Sequence, residues 1–192
     1  MGREFELKYR ADAGALSQIR EKYGAFTEIA METVYYDTPD RALGRRHWTL
    51  RRRYENGSAV CTLKTPAPDG SRGEWEVSCN DIFAAIDELC KLGCPAGLAE
   101  FRSASLEVSC GARFTRLAKT LTLPDAAVEL ALDRGVLLGG GRELPFAEVE
   151  AELKEGSEES VRAFGEALAR EFGLTAERRS KHVRALLLTQ TE

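Results

Sequence analysis

Apolar and polar residues alternate with period two along most of the chain, the pattern of strands with one face buried. It predicts strands over roughly 3–10, 26–37, 47–55, 58–64, 72–78, 113–123, 127–133, 136–138 and 143–154. Between and after them the period changes to that of helices. Leu16, Ile19 and Tyr23 share one face, and Gly24 can end that helix. Phe83, Ile86, Leu89 and Cys90 form a second stripe, stopped by Gly93 and Pro95. Val161, Phe164, Leu168 and Phe172 form a third, with Ser157 as cap, Glu158 and Glu159 in the first turn and Gly173 as stop. A short helix is expected after Ser180. These stripes read as core packing. The stretch 98–113 carries no clear pattern, and the glycines 139–141 read as a hairpin loop. They lack the strand-to-helix setting and the Lys-Ser/Thr of a phosphate loop.

One register follows from turn chemistry alone. Asn56 and Gly57 are a strong two-residue hairpin signal. Counting outward, Glu55 faces Ser58, Arg53 faces Val60, Arg51 faces Thr62 and Thr49 faces Lys64. Directly opposed residues share a face, so Arg51, Arg53, Thr62 and Lys64 lie together. Leu50, Tyr54, Ala59, Cys61 and Leu63 take the other face, with Arg52 as the exception. Pro68, Asp69 and Gly70 predict a second turn.

The polar faces have unusual chemistry. Glu4, Glu6 and Lys8 align, as do Arg72, Glu74 and Glu76, Glu129 and Asp133, and Glu148, Glu150 and Glu152. Like charges two residues apart on a strand sit ~6.5–7 Å apart and repel. One reading is a sheet with a solvated charged face. The sharper reading is a closed barrel of about eight strands, charged face inward and apolar face covered by helices, wide enough to hold a ligand. The fold class is then α+β. Carboxylates at i and i+2 from two strands suit a hard divalent ion such as Mg²⁺ or Mn²⁺. Arg and Lys clusters suit phosphate oxygens. Together they describe a metal–polyphosphate site. With only two histidines, a zinc or His-based site is disfavoured.

Composition narrows the setting. At 192 residues, one domain spanning 1–192 is expected. Hydrophobic residues at 43% and charged residues at 30% describe a globular chain. The net charge of −4 argues against a nucleic-acid partner. No apolar run reaches membrane-spanning length, and the charged start carries no export signal, so a cytoplasmic protein is expected. Cys61, Cys79, Cys90, Cys94 and Cys110 then read as reduced thiols.

Glu4, Glu6 and Lys8 on the first strand resemble the ExExK signature of the CYTH superfamily, the triphosphate tunnel metalloenzymes. The ordered sequel strengthens the likeness. It runs through Tyr35 to Pro39, Leu50 to Arg53, Thr62 to Lys64, Arg72 to Glu76, Arg116, Glu129 to Gly135, Glu148 to Lys154, and Ser180 with Lys181. The resemblance implies an antiparallel eight-stranded tunnel and Mg²⁺- or Mn²⁺-dependent chemistry on a small molecule containing triphosphate. It implies Glu4, Glu6, Glu150 and Glu152 as metal ligands, and Glu4, Glu6 and Lys8 as catalytic groups. It implies Lys8, Arg51, Arg53, Lys64, Arg116 and Lys181 as the phosphate cradle, joined by Arg72 and by Arg184 one helical turn beyond Lys181. Glu74, Glu76, Glu129 and Asp133 take mid-tunnel or structural places, and Tyr35 or Tyr36 pairs with Lys8 at the leaving group. A homodimer is compatible with the family. Many relatives with this long C-terminal portion carry a second, helical, His-rich domain, and the sequence stops at Glu192 without it. The leading activity is hydrolysis of inorganic triphosphate. The alternatives are thiamine or nucleoside triphosphate hydrolysis, a class IV adenylate cyclase, and a non-catalytic polyphosphate or nucleotide sensor.

Overall fold

Short polar caps set the helix starts. The computed structural model describes residues 5–66 and 72–190, Arg72 by its backbone only. Helix α1 (Ala13–Tyr23) is capped by Asp12, which accepts from Ala15 N at 2.7 Å. Helix α2 is the short turn Ala42–Arg45. Asp81 caps α3 (Ile82–Lys91), Ser157 caps α4 (Glu158–Phe172) and Ser180 caps α5 (Lys181–Leu187). Each side-chain oxygen satisfies an amide that the helix leaves unpaired. Gly173, at φ 65°, ends α4 in the left-handed conformation that glycine adopts without strain.

The strands are β1 (Glu6–Arg10), β2 (Thr27–Asp37), β3 (Thr49–Glu55), β4 (Ser58–Pro66), β5 (Arg72–Ser78), β6 (Glu107–Leu123), β7 (Ala126–Gly139), β8 (Arg142–Gly156) and β9 (Thr175–Ala176). They form one antiparallel sheet in the order β5-β4-β3-β2-β6-β7-β8-β1-β9. The β3–β4 register pairs Arg53 with Val60, Arg51 with Thr62 and Thr49 with Lys64, as the Asn56-Gly57 turn dictates. Both turn residues have positive φ, 49° and 87°. Arg52, on the apolar face, lays its guanidinium 5.1 Å from the Tyr54 ring and donates to Asn80 O at 3.0 Å.

Three expectations are corrected. Among the described residues the sheet has nine strands and does not close. Its edges are β5 and β9, so β1 and β5 do not pair. On the side of β1 away from β8, β9 pairs with Tyr9 and Arg10, and Glu177 N donates to Lys8 O at 2.8 Å. The edge groups that would close a barrel are partly used there. Residues 126–139 form one strand rather than two. A Cβ at Gly135 would stand 2.2 Å from Arg113 O, so glycine lets β7 continue against β6 where the sequence suggests a break. The patternless stretch is a 3₁₀ segment, Ala96–Ser103, followed by the start of the 17-residue β6. The second turn, Pro68 to Gly70, lies outside the described residues.

The apolar faces of the strands carry the helices. Ile19 of α1 and Leu168 of α4 pack with Leu130, Leu132 and Val149. Ile86 and Leu89 of α3 pack with Leu50, Cys61 and Leu63. Each fully buried Leu or Ile contributes about 1.5–3 kcal/mol of burial. This anchors the sheet from outside and leaves the charged faces turned to the other, concave side. Helix α5 departs from the expected arrangement. It lies on the concave side, with Ala185 buried among Met31, Tyr35, Phe114 and Leu137. No helix among the described residues is long and apolar enough to cross a membrane. The five cysteines are free thiols.

Candidate active site

The concave face encloses a cavity of about 530 Å³. Its chemistry follows from the register. On one side β1, β8 and β7 form rungs: Glu6, Glu152 and Glu129 are direct neighbours, and Lys8 faces Glu150. On the other side, Thr49, Lys64 and Glu74 form one rung of β3, β4 and β5, and Arg51, Thr62 and Glu76 the next. Between them β2 and β6 supply Ile29, Met31, Thr33, Tyr35, Phe114 and Arg116. The described lining carries seven carboxylates and seven Lys or Arg side chains. A polyanion therefore enters a site with no net surplus of Lys and Arg charge over carboxylate. It must either displace glutamates from their cations or bring metal charge with it.

The basic wall is held by its acidic neighbours. Lys64 Nζ lies 3.2 Å from Glu74, and Arg51 lies 3.6 Å from Glu74 and 3.8 Å from Glu76. Arg53 pairs with Glu55 at 2.5 Å and lies 3.9 Å from Glu76. Glu76 also accepts from Thr62 Oγ1 at 2.8 Å. Arg53 Nε is buried and lacks a hydrogen-bond partner among the described residues. Burial, with Arg51 adjacent, pulls the Arg53 pKa down. An anion at Arg53 would relieve both costs.

On the acidic wall, Lys8 lies 2.8 Å from Glu6 and 4.0 Å from Glu150. Burial opposes its charge, but Glu6 and Glu150 outweigh burial and raise the pKa. Lys154 lies 2.9 Å from Glu152 and 3.7 Å from Glu129. Glu150 is bonded to Arg116 and, at 2.8 Å, to Lys181. Burial opposes its ionisation, yet Lys181, Arg116 and Lys8 hold its pKa well below the usual carboxylate range.

The structure brings together Glu6, Lys8, Arg51, Arg53, Lys64, Arg116, Glu150, Glu152 and Lys181. Glu4 lies outside the described residues, as does the Arg72 side chain. Arg184, expected in the cradle, does not line the cavity. It is buried and bonds Glu148, because α5 sits on the sheet rather than beside an open tunnel. Glu150 lines the cavity but serves three cations, where the sequence suggested a metal. Of the two tyrosines, Tyr35 lines the cavity, its ring 4.7 Å from the His182 ring, whereas Tyr36 packs in the outer apolar cluster with Leu50. Sequence reasoning gave no site role to Lys154 and Ser180, though both stand in the matched segments, nor to Glu55 and His182, and all four line the cavity. Period two from Glu152 points to Lys154, and period two from Arg53 points to Glu55.

An all-oxygen site fits Glu6 and Glu152. They face each other across β1 and β8, Glu129 follows in the same rung, and all three line the cavity. Oxygen donors of this kind suit Mg²⁺ or Mn²⁺.

Comparison with known proteins then places the chain. A family model, the CYTH domain, matches residues 2–185. The chain belongs to the CYTH family. It is 26% identical over 195 residues to the inorganic triphosphatase of Haemophilus influenzae, covering 98% of this chain and 55% of that protein. The chain thus spans about half the length of the curated relative it matches. Among solved structures, the Hippeastrum protein HpAC1, described as having a dominant triphosphatase activity, superposes with a TM-score of 0.69 at 18% identity. That match covers 99% of this chain and 98% of the other. A Bacillus halodurans protein with a provisional adenylate cyclase name gives 0.64 at 19% identity, covering 94% and 96%. These likenesses establish a shared CYTH fold.

One feature near the site titrates in a testable range. Glu177 follows β9, and its carboxylate accepts from Arg179 N at 3.0 Å and from the Arg179 side chain. The Arg179 hydrogen bonds pull its pKa down to about 2. A depressed carboxylate contributes stability that is fully present above its unfolded value and lost as pH falls towards the folded one. Wild-type protein should therefore lose more melting temperature than Glu177→Gln between about pH 4.5 and pH 2. Thermal denaturation across that range checks it; equal losses would refute the assignment.

Proposed function

We propose that the protein is a divalent-metal-dependent triphosphatase that hydrolyses inorganic triphosphate to pyrophosphate and phosphate within the concave cavity. The observation that carries this is one cavity lined by a rung of carboxylates, Glu6, Glu152 and Glu129, and by a cluster of cations on β3 and β4, Arg51, Arg53 and Lys64. Phosphoryl transfer needs positioning and charge neutralisation more than covalent help, and this lining offers both.

Arg51, Arg53 and Lys64 grip phosphate oxygens as Glu74 and Glu76 yield their partners. Glu6 and Glu152, with Glu129 beside them, would hold Mg²⁺ or Mn²⁺, which when bound supplies charge neutralisation and an activated water. Lys8 stands on the same wall. Its raised pKa keeps it charged, so it stabilises the departing pyrophosphate electrostatically. Water adds to the terminal phosphorus and gives up a proton to solvent, and the bond from that phosphorus to the bridging oxygen breaks, its electron pair leaving with pyrophosphate.

Arg53→Ala should raise KM for triphosphate about tenfold, or ~1.4 kcal/mol, with a smaller change in kcat, because a binding contact is lost. Steady-state kinetics checks it. An unchanged KM with lowered melting temperature would move Arg53 out of the cradle.

One observation favours a second reading, an organic triphosphate or cyclase substrate. Ile29, Met31 and Phe114 of β2 and β6 place apolar surface between the two walls. The test is incubation with tripolyphosphate, ATP and thiamine triphosphate, each with Mg²⁺ or Mn²⁺, with product identification. Phosphate and pyrophosphate from tripolyphosphate, at a rate exceeding that with the others, support the proposal. Cyclic nucleotide, or turnover of an organic triphosphate alone, supports the second reading. Binding without products supports a sensor.

A further inference from the structure

Behind the cavity wall lie two acids that the mechanism above does not use. Asp133 and Glu148 are 0% exposed, are direct neighbours across β7 and β8, and do not line the cavity. Both face cations whose side chains do line it. Arg116 forks onto Asp133, Nε to Oδ1 at 2.8 Å and Nη2 to Oδ2 at 2.7 Å. Lys181 Nζ lies 2.8 Å from Asp133 Oδ2 and 2.8 Å from Glu150 Oε1, and it also bonds Glu148 Oε1. Glu148 Oε2 takes Arg184 of the same helix.

The Lys181 ammonium donates to Glu148 and Glu150 and lies within ion-pair distance of Asp133, so three carboxylates surround it. The trio's oxygens lie within 4.8 Å of one another, a spacing that would suit a metal ion. Lys181 already stands among them. The trio is the seat of Lys181. The three acids meet Arg116, Lys181 and Arg184, and Lys8 lies 4.0 Å from Glu150. Of the three acids, only Glu150 reaches the cavity. An arriving phosphate chain can therefore displace Glu150 from Lys181 and Arg116, whereas Asp133 and Glu148 lie behind the lining.

We infer that Asp133 and Glu148 are positioning residues that keep Lys181 and Arg116 aimed into the cavity when Glu150 gives up its hold on them. Bidentate and charge-assisted bonds fix direction as well as energy. The Glu148–Arg184 pair fixes the helix from which Lys181 projects. The kinetic half of this inference rests on the triphosphatase reading; the placement of Lys181 does not.

The test uses the full chain as Asp133→Asn, Glu148→Gln and the double variant, with two readouts. The first is the acetylation rate of Lys181 by an amine-reactive ester, measured by peptide mass spectrometry, with exposed Lys22 and Lys91 as internal references. The second is kcat and KM for tripolyphosphate, measured well below the melting temperature. We expect Lys181 acetylation to rise about tenfold relative to the references, and KM to rise about tenfold with kcat falling less. Folded variants with lower melting temperature but unchanged Lys181 protection and unchanged KM would overturn the inference, since the acids would then be merely structural. If the double variant fails to fold, Asp133→Asn alone decides by the same readouts. If wild-type protein shows no turnover, the triphosphatase reading fails, while the acetylation result still decides whether these acids place Lys181.

Discussion

Glu6→Ala and Glu152→Ala should each lower metal-dependent turnover by about 100-fold or more, with the melting temperature little changed. Loss of a metal ligand removes both ion affinity and the charge compensation that phosphoryl transfer requires. The stability cost is small for a physical reason. Both carboxylates border the cavity, and their partners Lys8 and Lys154 keep other acids within reach, Glu150 at 4.0 Å and Glu129 at 3.7 Å. Neither cation is left buried without a counter-charge. Turnover titrated against Mn²⁺ checks this. Rescue of Glu6→Ala at high Mn²⁺ would fit weakened binding, whereas wild-type turnover at low Mn²⁺ would remove Glu6 from the site.

The second large effect is mechanical. Gly139→Val should destabilise the protein by about 1–3 kcal/mol, as overpacking does, and lower kcat/KM by about tenfold. A Cβ at Gly139 would stand 2.3 Å from Ala185 O and 3.1 Å from Leu188 Cβ. The contact is with backbone and cannot be relieved by a rotamer change. Helix α5 would have to lift, carrying Lys181 away from Glu148 and Asp133. Chemical denaturation and steady-state kinetics read the two halves. Full stability and full activity in this variant would show that α5 is not seated against the β7–β8 hairpin.

What the sequence disclosed and what it hid differ by range. The β3–β4 register was legible to the residue, because two turn residues with positive φ leave a single pairing and period two then assigns each face. Period two also put Glu6 with Lys8 on one face of β1 and Glu150 with Glu152 on one face of β8, while the pairing of those two strands came only from the family resemblance. Closure was not legible. The two-residue β9 has no period to detect, yet it takes part of the β1 edge. Nor was the side on which α5 lies. Val183 and Leu187 are as apolar as Ala185, and only the approach permitted by Gly139, together with the buried acids Asp133 and Glu148, selects the concave side. Lys181 and Arg184 looked alike at helical spacing. Burial separates them, one projecting into the cavity and the other bonded to Glu148.

The central claim is that triphosphate and its ion occupy the concave cavity between the two charged walls. The most direct measurement is a crystal structure with Mn²⁺ and a non-hydrolysable triphosphate, using anomalous scattering to locate the ion. The expected result is an anomalous peak between Glu6 and Glu152, with phosphate density along Arg51, Arg53 and Lys64. Ion and anion bound together elsewhere, with Glu6 and Arg53 still holding the partners they have here, would contradict it.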